Sequence, residues 1–186
     1  MKITIVIFFM IITTLNSVSQ SDSTIKVDSI HYSTYTLNLL PLIETVLQFD
    51  YERKLADNFS VCGLIAFGML SDNYNNGLKH SFFCIGTQLN WYFKGNFDNG
   101  LRLGLQVYFS SSGSDNVDPI FFDYGKITGI IPFIGFKSNS STNFTFDGKF
   151  GFGFAYRELI NKSGNIENKS KIIKVGLLSF NIGWSN

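Results

Sequence analysis

Phe144-Thr145-Phe146-Asp147-Gly148-Lys149-Phe150-Gly151-Phe152-Gly153-Phe154-Ala155-Tyr156 is the stretch whose reading decides the fold. Its even positions are aromatic, apart from Gly148. Its odd positions are Thr145, Asp147, Lys149, Gly151, Gly153 and Ala155. A period of two is that of a β-strand, whose side chains point alternately to opposite faces. So long an aromatic face has to meet something apolar. The opposite face carries a carboxylate and an ammonium group, which have to meet each other or water.

The same alternation recurs on both sides of this stretch. Reading backwards, Tyr124 to Lys137 is a less regular strand, with Pro132 in its middle and apolar residues on both parities. Leu101 to Phe109 sets Leu103, Leu105 and Val107 against Arg102, Gly104 and Gln106. His80 to Phe93 sets Phe83, Ile85, Leu89 and Trp91 against Cys84, Gly86, Gln88 and Asn90. Phe59 to Leu70, Glu44 to Arg53 and Tyr32 to Leu40 complete the N-terminal side. Lys171 to Trp184 is the last strand. Eight strands of roughly 9–11 residues each match the length that crosses a bilayer at a tilt.

The connections have unequal lengths. Those after the second, fourth and sixth strands are short. Those after the third, fifth and seventh, Ser71–Lys79, Ser110–Asp123 and Arg157–Ser170, are longer, polar and rich in Gly, Ser and Asn. Outer-membrane barrels alternate in this way, with short periplasmic turns and longer external loops. The first external connection, Pro41 to Ile43, is the tight exception. A soluble β-sandwich would not produce so regular an alternation, and a lipocalin would place apolar residues where this chain has its polar set.

Composition agrees. Aromatic residues make up 16% of the 186 residues, with 20 Phe against only 3 Pro, so strand formers abound and strand breakers are scarce. The formal net charge of +1 and the absence of any basic block argue against a nucleic-acid partner. At the N-terminus, Lys2 precedes an apolar run from Ile3 to Leu15, and Ser17-Val18-Ser19 has the small-x-small form of a signal-peptidase site. The expected organisation is a cleaved signal peptide over 1–19, a flexible periplasmic tail over 20–30 and a barrel domain over 31–186. No stretch after the signal segment reaches the roughly 18 apolar residues of a transmembrane helix. A mature chain in the membrane therefore has to be a closed barrel, because open strand edges cannot face lipid. The fold class expected is all-β: an eight-stranded antiparallel up-and-down transmembrane β-barrel.

Three short stretches carry a resemblance. Leu47-Gln48-Phe49-Asp50-Tyr51-Glu52-Arg53-Lys54-Leu55, Pro132-Phe133-Ile134-Gly135-Phe136-Lys137 and Phe150-Gly151-Phe152-Gly153-Phe154 resemble the second, sixth and seventh strands of small outer-membrane β-barrel proteins from Bacteroidetes-type bacteria. These barrels often end on an aromatic residue, whereas here Ser185 and Asn186 follow Trp184. The resemblance implies export to the outer membrane, with its lipid and the barrel-assembly machinery as partners. It implies no defined activity, and leaves an extracellular or periplasmic partner to be identified.

The candidate site residues follow from parity. Asp50, Glu52, Arg102, Asp147 and Lys149 all fall on the inward face, and eight strands enclose a lumen just wide enough for side chains. They are expected to pair as a plug of salt bridges; a narrow gated pore is the alternative. Cys62 and Cys84 share the inward parity on adjacent strands, so a cross-strand disulfide is possible, although simple register sets Cys62 beside Gln88. Trp91, Phe93 and Trp184 lie near strand ends, where an aromatic girdle meets the membrane interface. Two Cys and two distant His make no zinc set, and no cofactor is expected. His80 and Ser81 with Asp72, and His31-Tyr32-Ser33, superficially resemble the groups of barrel enzymes that act on lipid A acyl chains. Neither set is specific, and the expected role is non-catalytic: structural, or recognition through the external loops.

Overall fold

The computed structural model describes residues 31–41, 46–72, 78–113, 124–160 and 171–186. The signal peptide and tail expected over 1–30 lie outside these residues, as do 73–77, 114–123 and 161–170 of the three long loops. The strands are β1 (Ser33–Asn38), β2 (Val46–Ala56), β3 (Phe59–Asp72), β4 (Leu78–Gly95), β5 (Asn99–Gly113), β6 (Tyr124–Asn139), β7 (Phe144–Ile160) and β8 (Lys171–Ser185). Each pairs antiparallel with its neighbour in sequence, and β8 pairs with β1, so the sheet is a closed barrel.

The register determines how steeply the strands tilt. From Thr36 the pairing runs through Asp50, Leu64, Gly86, Tyr108, Gly129 and Ala155 to Ile173. Thr36 itself pairs with Gly183 of β8, ten residues beyond Ile173. A stagger of ten over eight strands, with usual strand rise and spacing, tilts the strands by about 40°.

Alternation then sorts the side chains inside out. Asp50, Glu52, Arg102, Lys137, Asp147 and Lys149 are buried in the lumen, while Phe49, Ile65, Phe83, Leu105, Phe150 and Leu178 are exposed on the outer wall. On β4 the exposed apolar positions run from Phe83 to Phe93. At the tilt above, that stretch is about 25 Å tall.

Several strands extend further than expected toward the long loops. β5 continues through Ser110–Gly113, and β7 through Arg157–Ile160. β1 is the opposite case: its ladder stops at Asn38, short of Leu40. At the other end the turns tighten to Asp57–Asn58 and Asn96–Asp98, where Gly95 takes a positive φ of 82°.

β6 carries apolar residues on both faces because the lumen changes character along its length. Toward the short turns, inward positions are polar: Ser60, Asn90, Arg102, Lys137, Asp147 and Asn181 are buried. Toward the long loops, Val46, Leu64, Ala66 and Cys84 form a buried apolar cluster, with Phe82 and Tyr108 packed against it. Ile131 and Phe133 of β6 belong to this upper interior. Phe133 lies over Gly104, where even a Cβ would come within 2.2 Å of the ring, so that glycine makes room for the aromatic side chain.

Candidate functional site: the charged lumen and its floor

Arg102 reaches inward from β5 and is fully buried. Its Nη1 donates to both oxygens of Glu52 on β2, at 3.2 Å each, and to the Tyr92 hydroxyl at 2.9 Å. Its Nη2 donates to Asp147 Oδ2 on β7 at 2.5 Å. One guanidinium thus ties together three walls of the barrel. Glu52 collects further donors: Ser60 Oγ, Asn90 Nδ2 at 2.8 Å, Tyr92 OH at 2.8 Å and Lys137 Nζ at 3.1 Å. Lys137 also donates to Thr34 Oγ1 at 2.6 Å.

A second set lies beside the first. Lys149 Nζ donates to Asp50 Oδ2 at 2.7 Å, and Gln48 and Asn181 amides donate to the same carboxylate at 2.9 and 3.3 Å. Asp50, Glu52 and Asp147 therefore face Arg102, Lys137 and Lys149, and these six charges cancel. Removing an ion from water costs several kcal/mol, and only paired, hydrogen-bonded charges offset that cost. Arg102 Nε, Asp147 Oδ1, Gln88 Oε1 and Asn90 Oδ1 have no hydrogen-bond partner among the described residues.

All five charged residues expected in the lumen come together here. Parity marks them in the sequence, because each alternates with apolar residues on a regular strand. Lys137 is a sixth member that parity does not single out. Its strand reads as apolar on both faces, which hides the inward parity; the Lys137–Glu52 pair gives it away only in three dimensions.

Below the charges, toward the short turns, the barrel is floored by its own chain. Phe97, in the β4–β5 turn, is fully buried, with Lys137 Nζ 3.5 Å from its ring centroid. Asn96 Oδ1 accepts from the backbone N–H groups of Asp98 and Asn99, both at 3.0 Å, which turns Phe97 and Asp98 inward. His31 Nδ1 lies 2.7 Å from Asp98 Oδ1, and Nε2 lies 3.1 Å from Asn143 Oδ1 in the β6–β7 turn. Asn139 Nδ2 donates to Asp98 as well, at 2.8 Å. His31 therefore clamps the segment before β1 onto two turns. It does not face Ser33, whose hydroxyl donates weakly to the Asn186 carbonyl at 3.4 Å. Ser81 is an exposed residue of β4, while the side chains of Asp72 and His80 lie outside the described ones.

The possible disulfide does not form. Both thiols are free and buried. Cys62 pairs with Gln88 and Cys84 with Ala66, so the two cysteines are four residues apart along the β3–β4 ladder. Four strand residues span about 13 Å, beyond the roughly 7 Å Cα separation a disulfide tolerates. Trp91, Phe93 and Trp184 lie on the outer face near the short-turn end, and Trp91 and Phe93 rings are 6.4 Å apart. Among the described residues no group of His, Cys, Asp and Glu is arranged to hold a metal ion.

The fold and its interior define a closed eight-stranded antiparallel barrel with a charge-paired, floored lumen. No protein-family model, curated protein or solved structure matches the chain.

Proposed function

We propose that the chain is an outer-membrane β-barrel protein of the small Bacteroidetes-type class it resembles, exported by a cleaved signal peptide over 1–19. Its role is structural or surface recognition through the loops at the outer end, without catalysis. The observation that carries this reading is the inverted distribution of residues: ions at the centre and large apolar side chains around the outside. The outer apolar zone of about 25 Å matches the lipid-facing band of such barrels. In this orientation Trp91, Phe93 and Trp184 sit where an aromatic girdle meets the periplasmic interface. Outer-membrane lipid and the barrel-assembly machinery are then its partners, and an extracellular or periplasmic partner is sought at the loops.

The alternatives have less support. A gated pore needs an open path, whereas Arg102, Glu52, Lys137 and Asp147 fill the lumen and Phe97 lies beneath them. An enzyme acting on lipid A acyl chains needs an activated nucleophile, and His31 is engaged by Asp98 and Asn143 instead.

Fractionation tests the reading. Expressed in a Gram-negative host, the protein is expected in the outer-membrane fraction with Gln20 as its first residue. A soluble periplasmic protein, or an uncleaved chain in the inner membrane, would refute it.

A further inference from the structure

The strand glycines differ in what surrounds them. Gly104 and Gly148 each lie beneath a phenylalanine ring, and Gly86 and Gly153 lie against the backbone of a neighbouring strand, so a Cβ at any of these would collide. Gly63 is different: a Cβ there would meet nothing within 4 Å. It sits inside β3, paired with Tyr51 and Thr87, and is exposed on the outward parity. Glycine weakens a strand interior. Where no neighbour within the fold requires it, it marks a place where another molecule approaches the backbone closely.

Outside Gly63 lies a groove of about 740 Å³ in the outer wall, lined entirely by described residues. It begins at Trp184, crosses β1 and β2 beside Tyr35 and Tyr51, and ends at Ile65 and Ile85. The Tyr35 and Tyr51 rings, 4.9 Å apart, form one edge. Thr87, next to Gly63, turns its hydroxyl onto the Cys62 carbonyl at 3.1 Å, which keeps the surroundings apolar. From Trp184 the register leads through Tyr35, Tyr51 and Gly63 to Thr87, with Ile85 two residues higher on β4. At the tilt above, that is a climb of about 18 Å, slightly more than the roughly 15 Å of hydrocarbon in one leaflet.

The lower end of the groove has a cation beside it. Arg53 is exposed on the outward parity of β2, two residues from Tyr51 toward the short turns. The two strand steps up from Trp184 to Tyr51 and the two residues down to Arg53 nearly cancel, so Arg53 is level with Trp184. A guanidinium at that height stands where the phosphates of a bilayer begin, and its planar fork matches phosphate oxygens bidentately.

We propose that the groove over Gly63 binds an acyl chain of an inner-leaflet phospholipid, with the lipid phosphate on Arg53. The inference rests on the membrane reading above, which makes the short-turn end periplasmic. An apolar trough one leaflet deep, with a cation at its interfacial end, has the polarity profile of such a lipid from tail to head. A second copy of the barrel fits less well, because a twofold pairing would set groove against groove and leave the concavity unfilled.

Native mass spectrometry tests it. The full-length barrel, refolded from urea into a lipid-free non-ionic detergent, is titrated with dioleoylphosphatidylglycerol and separately with dioleoylglycerol, which has the chains without the phosphate. One phosphatidylglycerol per barrel is expected to be retained, and dioleoylglycerol to be held about tenfold less tightly for want of the charged hydrogen bonds. Gly63→Leu fills the groove where no atom of the protein stands in the way. It is expected to keep the gel shift between unboiled and boiled samples and to weaken lipid retention by about tenfold or more. Gly63→Val replaces it should that variant lose the shift. Arg53→Gln is expected to bind both lipids alike. Gly176→Leu, at an outward glycine of β8 outside the groove, is expected to bind as the parent does. A folded barrel that retains no lipid, or retention unchanged by filling Gly63, would overturn the lipid site and leave the membrane reading intact. A barrel dimer that Gly63→Leu dissociates would overturn it in favour of a second copy. A preference for phosphatidylglycerol that survives Arg53→Gln would overturn the phosphate assignment. Folding to a monodisperse barrel without detergent would overturn the membrane reading itself.

Discussion

Replacing Arg102 with alanine is expected to lower the stability of the folded barrel by about 3–5 kcal/mol, the usual cost of removing one partner from a buried ion pair. The lost cation is shared between Glu52 and Asp147, but the two carboxylates are not equally harmed. Glu52 retains Lys137 and the donors Ser60, Asn90 and Tyr92. Asp147 has Arg102 as its direct ion-pair partner among the described residues, so it is left buried with only the more distant charge of Lys149 beside it. The double variant Arg102→Ala/Asp147→Asn should therefore recover much of the loss, a non-additivity diagnostic of direct coupling. Urea titration in lipid vesicles, following the unboiled gel band of the folded form, measures both effects. A midpoint unchanged by Arg102→Ala would mean that the lumen charges are solvated rather than mutually paired.

The second large effect belongs to the outer wall. Leu105 is exposed near the middle of the outward apolar residues of β5, which run from Leu103 to Phe109. Leu105→Arg is expected to destabilise the barrel by about 2–4 kcal/mol in lipid, because the proposed membrane orientation puts the guanidinium at the depth of the bilayer midplane. Ser111→Arg, two positions beyond Phe109 on the same face, should cost no more than about 1 kcal/mol near the interface. A water-soluble barrel would respond differently: surface substitutions there stay within about 0.5 kcal/mol, with no dependence on height. The contrast between the two arginine variants, in one urea series, is the readout.

Much of this architecture is legible in the chain because strand parity is a local property. The inward placement of Asp50, Glu52, Arg102, Asp147 and Lys149 follows from alternation with Phe49, Tyr51, Leu103, Phe146 and Phe150. Alternation fails where both faces share one polarity. On β6, Ile131 and Phe133 point into the apolar upper lumen while Ile130 and Ile134 point outward, so inward and outward look alike and Lys137 goes unassigned. The strand ends are hard to read for the converse reason. Ser110–Gly113 is polar or small on both faces, which reads as a loop, and the Arg-Glu-Leu-Ile order of Arg157–Ile160 breaks the polar–apolar alternation that marks a strand.

Register is the property that sequence carries most weakly, since a hairpin's length does not determine which residues oppose each other. That Cys84 faces Ala66, and not Cys62, depends on the whole β3–β4 ladder. The short β1 has the same origin. The tight connection after it is visible as an exception among the links at that end, but the ten-residue stagger that leaves upper β8 with no strand on its β1 side among the described residues is a property of the closed sheet.

The central claim is that the outer apolar wall is a lipid-facing surface, and lipid-dependent folding tests it most directly. Residues 20–186, diluted from urea into detergent-free buffer, are expected to remain unfolded or to aggregate. The same dilution into phosphatidylcholine vesicles is expected to yield a β-rich, protease-resistant species whose unboiled gel migration differs from that of the boiled sample. A monodisperse folded monomer in buffer alone would contradict the account.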